Sequence, residues 1–425
     1  MEKIMRTFLL LSLLLLTLPG SGAPAGSVIE IWVWGGPSQL ETFDPKPKAA
    51  KDYNNGLKAI PTNVPGVEIS EMLPKLAQQA DKYSIIRTMT HPYSGHETAT
   101  YLMQTGREPG GGQVFPAIGA VIAMFKSKDY KGDIPPYVIL TVPKGRFSEV
   151  GFLDERYAPL VTGGNPNANI FEVDGIVPPG GLSKAAIEAR FELLNRLDRL
   201  DPSGTLPESR EFAAAGKEAR TTIDGNGAKV FDLSQESKEM RDRYGRNGFG
   251  QSCLVARRLV QAGVPYITIN AQGWDSHKRH FETMVQRTRE MDQAFAALLE
   301  DLAEKKLLDS TLVWWSGEFG RTPKIDWQPP WNGGRNHYSR CFSAVVAGGG
   351  FQGGKVVGES DATAGNVVAR PVAPQDLLGS IYELCGIDPD GMLPNPRNMS
   401  VTILPPESAA GRLREIYQPG AGLKK

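Results

Sequence analysis

Runs of apolar residues alternate with amphipathic stretches along most of the chain. The first, "SVIEIWVW" from Ser27, is almost continuously apolar and stops at Gly35-Gly36. Five similar runs follow: "YSIIRTM" from Tyr83, "YVILTV" from Tyr137, "VPYITIN" from Val264, "TLVWWS" from Thr311 and "FSAVVAG" from Phe342. Short runs of this kind are the pattern of strands covered on both faces. Helical spacing occupies the intervals, in "MLPKLAQQADK", in "GQSCLVARRLVQAG" with Gly263 as a C-cap, and in the long "FETMVQRTREMDQAFAALLEDLAEKK". Strands alternating with helices predict an α/β fold, a three-layer sandwich around a mostly parallel central sheet.

Two regions depart from this rhythm. Residues 1–25 carry Lys3 and Arg6, an apolar run from Phe8 to Leu18, and an Ala-x-Ala site at Ala23 to Ala25. That order is the mark of a secretory signal peptide, and the run is too short to span a bilayer. The expectation is an exported protein, periplasmic or extracellular, with no stable membrane span; the uncleaved run as an anchor is the competing reading. The second region, about 151–227, is rich in Pro, Gly and Asn before a helical stretch that begins after Ser183. It reads as a cap inserted into a single domain spanning 26–425.

Composition narrows the choices further. The 425 residues are 40% hydrophobic, which is ordinary for a globular protein and far from the signature of disorder. Basic and acidic side chains balance at 47 each, so charge gives no argument for nucleic acid as a partner. Cys253, Cys341 and Cys385 are too widely spaced for a zinc knuckle or a redox pair.

The candidate chemistry gathers where strands end, which is where parallel α/β sheets collect ligands. After the first strand come Ser38, Glu41 and Asp44; after the second, His91, Ser94, His96 and Glu97. Asp275, His277 and His280 follow the "VPYITIN" run, and Glu318, Arg321 and His337 follow "TLVWWS". All five histidines of the chain thus fall in loops at predicted strand ends. Imidazole beside carboxylate is the ligand set of zinc, manganese or iron, and is less suited to calcium. Asp275, His277, His280, Glu318 and His337 are the candidate ligands of a divalent metal ion. Arg107 and Arg321 are candidates to hold an anionic ester, because guanidinium matches the oxygens of phosphate or sulfate. Trp327 and Trp331 are candidates either to stack on a sugar ring near His337 or to pack their own loop.

Several segments carry a resemblance. "GGPSQLETFDPKP", "RTMTHPYSGHETATYLMQTGR", "RYGRNGFGQSCLVARRLVQAGV", "GWDSHKRHF" and "GEFGRTPK" resemble the exported bacterial family named domain of unknown function 1501. That family in turn resembles a branch of the alkaline phosphatase and sulfatase superfamily. "TLVWWSGEFG" is similar to a superfamily strand ending in a metal-binding Asp-His pair, and "RPVAPQDLLGSIYELCGIDP" to a segment near the end of sulfatase domains. Laying Thr105-Gly106-Arg107 on the sulfatase "TGR" places His96 at the nucleophile position. The resemblance implies a metal-dependent hydrolase of sulfate or phosphate esters, acting on a small molecule or a glycan.

The departures are specific. Gly35 and Gly36 stand where the superfamily ends its first strand with a metal-binding Asp, with Glu41 or Asp44 as candidate replacements. Glu318 keeps the carboxylate of the Asp-His pair, whereas Phe319 replaces its histidine. The pattern implies one principal metal site, with Arg107, Arg321 or Lys324 supplying charge in place of the second. Three roles for His96 remain open: metal ligand with water attacking, covalent nucleophile, or base for Ser94. The rival expectation is a non-catalytic degenerate relative that binds glycan or a protein partner.

Overall fold

The computed structural model describes residues 23–143, 149–173, 176, 183–197, 216, 220, 227–395 and 399–423. The expected signal peptide thus lies almost wholly outside the described residues, as does much of the second half of the expected cap.

Eight strands form the central sheet: β1 (Ser27–Val33), β2 (Tyr83–Met89), β3 (Tyr137–Leu140), β4 (Leu160–Val161), β5 (Tyr266–Ala271), β6 (Thr311–Ser316), β7 (Phe342–Ala347) and β8 (Val356–Val357). Their order across the sheet is β8-β2-β7-β6-β1-β5-β3-β4. All neighbours pair parallel except β7, which runs antiparallel to both β2 and β6. The sheet is therefore mostly parallel, as the continuous apolar runs predict. Within the expected cap, Leu160–Val161 extends the sheet edge as β4, and Lys184–Leu197 forms helix α3.

Helices cover both faces. Ile29, Ile31 and Val33 of β1 pack on the side of α4 (Gly248–Gln261) and α5 (His280–Glu304). Val28 and Trp32 alternate to the opposite side, under α1 (His96–Thr105), α2 (Ile118–Lys126) and α6 (Pro374–Leu384). Glu30 also points to this second side and is fully buried. Gln104 of α1 and Thr268 of β5 donate to it, both at 2.6 Å, which ties α1 to the sheet. Because β7 runs against its neighbours, its first residues lie at the same sheet end as the last residues of the parallel strands.

The stretch "MLPKLAQQADK" forms less helix than its spacing predicts: one turn at Pro74–Ala77, then a 3-10 turn at Ala80–Lys82. Asp292 of α5 accepts from the Lys75 and Leu76 N–H groups, while Asn63 N–H donates to the Ala77 carbonyl. The Asp292 bonds cap N–H groups of the first turn, whereas the Asn63 bond takes a carbonyl that a longer helix would use.

Candidate metal centre

The loops at the carboxyl end of the sheet bring three histidines around Asp275. His277 and His337 direct Nε2 at Asp275 Oδ1, at 3.0 and 3.1 Å, and lie 2.9 Å from each other. His96, the first residue of α1, directs Nε2 at Asp275 Oδ2 across 3.3 Å. His96, Asp275 and His337 each offer a ligand atom within 4.8 Å of the others.

The opposite nitrogen of each ring is anchored. His96 Nδ1 meets Glu318 Oε1 at 2.6 Å, His277 Nδ1 meets Asn336 Oδ1 at 2.9 Å, and His337 Nδ1 meets the Ser94 carbonyl at 2.8 Å. A carboxylate or a carbonyl only accepts, so each Nδ1 carries the proton, and in the neutral ring Nε2 is left with its lone pair. That is the outer-shell arrangement of metal-bound imidazole. Stacking fixes the ring planes: Trp34 lies against His96 at 19° and Phe319 against His337 at 26°.

The residues fit a metal ion. Two imidazoles cannot hold lone pairs face to face at 2.9 Å unless a proton or a cation lies between them. Atoms bound to one ion at 2.0–2.1 Å lie about 3–3.4 Å apart at adjacent corners. The triangle of His277 Nε2, His337 Nε2 and Asp275 Oδ1 has nearly that size. Nitrogen with carboxylate suits zinc, manganese or iron.

Electrostatics follows the same geometry. Hydrogen bonds to Asp275 and Glu318 raise the His96 pKa to about 9, against the effect of its burial. Burial pushes the Asp275 carboxyl up, but the contacts with His337, His96 and Arg321, with the Arg321 charge, hold it well below the usual range whenever the ring nitrogens facing it are protonated. Arg321 is itself fully buried and is spent on the protein. It donates to Asp275 Oδ1 at 2.5 Å and to the carbonyls of Gly35, Gly36, Trp274 and Arg335. It therefore orients Asp275 and has no group directed at a ligand.

Glycine at 35 has a direct reason. Gly35 has φ +108°, and a Cβ there would lie 2.3 Å from the Asp275 backbone nitrogen. Its N–H donates to both oxygens of Glu318, at 3.0 and 3.2 Å. Glu318 therefore stands behind His96, holding its ring, and does not face Asp275.

Other sequence candidates lie elsewhere. His280 is fully buried, with Ser276 Oγ at 2.7 Å from Nδ1 and Glu41 Oε2 at 3.2 Å from Nε2. Both of its nitrogens are used, and the structure does not bring it to Asp275. Glu41, one of the two carboxylates expected to stand in for a first-strand Asp, also accepts from Arg335 at 2.8 Å, and the other, Asp44, pairs with Lys46 at 2.9 Å. His91 gives one ring nitrogen to the Glu318 carbonyl at 2.7 Å, and burial lowers its pKa to about 4. Ser94 contributes its carbonyl, while its hydroxyl sits 3.4 Å from Ser339 Oγ. Arg107 follows the far end of α1, about 16 Å along the helix axis from His96. Its guanidinium donates to the Thr402 carbonyl at 2.6 Å and covers the Phe115 ring. Lys324 is exposed. Trp331 lies 6.3 Å from His277, ring centre to ring centre, and Trp327 stacks on Phe281. Asn336 and Trp34 escape sequence reasoning; the position of Asn336 directly before His337 is its only signal.

Fold and centre together define an α/β protein whose strand-end loops carry a histidine–carboxylate cluster of metal-binding type. The chain belongs to the family described as protein of unknown function (DUF1501), which matches residues 25–407. Among curated proteins, none matches it in sequence. Over 86% of its length it is similar to the PsFucS1 sulfatase from Pseudoalteromonas sp., with 13% identity, 69% of that chain covered and a TM-score of 0.37. The lipoteichoic acid synthase LtaP from Listeria monocytogenes matches the same share at 8% identity, with 74% of that chain covered and a TM-score of 0.39. A protein in the alkaline phosphatase superfamily from Vibrio parahaemolyticus matches at 10% identity, with 69% covered and a TM-score of 0.36.

Proposed function

We propose that this protein is an exported, metal-dependent hydrolase of sulfate or phosphate esters. The observation that carries the proposal is the convergence of three Nε2 atoms on Asp275 while every Nδ1 is anchored to an acceptor. Asp275, His277, His337 and His96 would hold the ion, which supplies a Lewis acid that polarises an ester oxygen and acidifies water.

The chain's own groups set up the rest. Asp275 and Glu318 are acidic and Arg321 is basic, so a divalent ion leaves this group of charges net positive and suited to an anionic ester. Glu318, Asn336 and the Ser94 carbonyl hold the three rings, and Arg321 holds Asp275, so the side chains are oriented in advance of binding. The Ser94 hydroxyl is turned towards Ser339, which favours water as the attacking group. Export rests on the basic start and apolar run of residues 1–25. No helix among the described residues is long and apolar enough to cross a membrane.

Elemental analysis of the purified chain, beside 4-nitrophenyl sulfate and 4-nitrophenyl phosphate hydrolysis before and after chelation, tests the proposal. A transition metal present in the native chain, lost in Asp275→Ala and in His337→Ala, with hydrolysis abolished by chelation, is expected. Normal metal content in both variants, or no metal in the native chain, overturns it.

A further inference from the structure

One aromatic loop beside the metal centre is turned to solvent. Of the seven tryptophans only Trp327 is exposed, at 45%, and it belongs to the loop 326–334, which also carries Trp331. The loop closes on itself: Asp326 N–H donates to the Gly334 carbonyl at 3.0 Å, and Gly333 N–H to the Asp326 carbonyl at 2.9 Å. It is also tied to the start of α5, where Arg279 N–H donates to the Trp331 carbonyl and His280 N–H to the Gly333 carbonyl, both at 3.1 Å. Two adjacent glycines carry the contact between loop and centre. A Cβ at Gly333 would lie 3.0 Å from Trp327 Cζ3, and one at Gly334 would collide with the His277 carbonyl. The Trp327 ring and the backbone of a candidate metal ligand therefore pack against neighbouring residues.

The ring of Trp327 is supported as well as exposed. Phe281 lies nearly parallel to it, at 17° and 6.2 Å between ring centres, and the buried Arg335 guanidinium sits 5.6 Å from the Phe281 ring centre. A ring held in such a stack keeps its orientation while it offers apolar surface to water. Gln328 and Asn332, on the same loop, are exposed, and their carboxamides have no hydrogen-bond partner among the described residues. Trp331, partly buried and 6.3 Å from His277 between ring centres, continues the aromatic surface to the metal centre. Apolar surface left open beside a polar rim marks a place of contact.

We infer, on the hydrolase reading, that this loop binds the alcohol part of the ester and that this part is a pyranose. A pyranose carries C–H groups across its faces and hydroxyls around its edge. The faces match the indole of Trp327, and the hydroxyls match carboxamides, each of which both donates and accepts. A simple alkyl or aryl group would use the indole and leave Gln328 and Asn332 idle. A flat polar group would use the carboxamides and leave the indole wet. The loop therefore selects sugar esters over simple alkyl esters at the same centre.

Saturation-transfer NMR of the full chain with a panel of methyl pyranosides, and with their monosulfates and monophosphates, tests the loop directly. At least one neutral glycoside should bind, with transfer strongest at its ring C–H groups. Trp327→Ala should weaken that binding about fivefold to tenfold, Trp327→Phe should restore part of it, and the surface change Gln328→Ala should also weaken it. Elemental analysis should find the metal content of Trp327→Ala unchanged. The sulfate or phosphate ester of the bound glycoside should bind more tightly than the neutral ring, and chelation should remove that advantage alone. A chain without metal that still binds the neutral ring through Trp327 sinks the hydrolase reading and keeps the sugar platform. Absence of binding across the panel, undiminished binding in Trp327→Ala, or a metal-loaded chain on which neither ester gains affinity overturns the inference. Trp327-dependent binding to vesicles of phosphatidylcholine and phosphatidylglycerol, with no glycoside bound, overturns it as well.

Discussion

His277 and His337 point Nε2 at each other across 2.9 Å, each with its other nitrogen tied to a separate acceptor. Two residues 60 positions apart thus share one electrostatic problem that a proton or a metal cation between them would solve. Removing either ring should abolish metal retention, read by elemental analysis of the purified variants. Asn336→Leu removes only the anchor of His277, so affinity should fall about 10–100-fold while the fold is kept. Calorimetric titration of the metal checks this; unchanged affinity would mean that Asn336 does not orient the ring.

A second prediction concerns the approach of β1 to Asp275. In Gly35→Ala the new methyl collides with the Asp275 backbone and must adopt φ +108°. The positive φ alone costs about 1–2 kcal/mol. Thermal unfolding should show that loss, and metal content should drop with it because Asp275 is displaced.

The pair Glu41–Arg335 gives a pH prediction. Burial raises the Glu41 pKa, but the Arg335 charge and the hydrogen bond with His280 outweigh it and bring the value down to about 2 from an ordinary 4.5. A depressed carboxylate stabilises the fold fully above its unfolded pKa, and that stability is lost as pH falls towards the folded value. Urea unfolding should therefore show a decline that begins near pH 4.5 and deepens towards pH 2, and Glu41→Gln should flatten it. Glu41→Ala strands Arg335 without a counter-charge and should cost about 3–5 kcal/mol at neutral pH.

His280 and Arg107 separate structural from chemical roles. His280→Ala should keep its metal yet lose about 1–3 kcal/mol of stability, because it leaves buried partners unpaired. Arg107→Ala should leave turnover of a small aryl ester unchanged, since the guanidinium is committed to Thr402 and Phe115. A large loss of turnover with unchanged substrate affinity would restore Arg107 to the reaction.

The central sheet is legible in the sequence because its strands are buried on both faces, and burial writes itself as continuous apolar runs. The short edges β4 and β8, two residues each, leave too little pattern to read. Histidines in strand-end loops mark the neighbourhood of the centre. They do not reveal that His280 turns inward to Glu41, or that Glu318 backs His96, because those outcomes depend on side-chain direction within a loop. Gly35 is a similar case: in the sequence it only ends an apolar run, and in space it is the residue type that lets β1 pass this close to Asp275. Phe319, likewise, is in space the surface against which His337 lies flat.

The reversed strand β7 has a consequence for the order of assembly. Without it, β8-β2 and β6-β1-β5-β3-β4 are two separate pieces, and the first of them begins some 250 residues before the strand that joins them. His337 arrives with that joining strand, and His96 with the opposite piece. A metal ion can therefore engage the complete ligand set only after the halves have docked. Loading of such an ion would then be a late event that locks the whole sheet, and metal uptake would serve as a clock for completed folding.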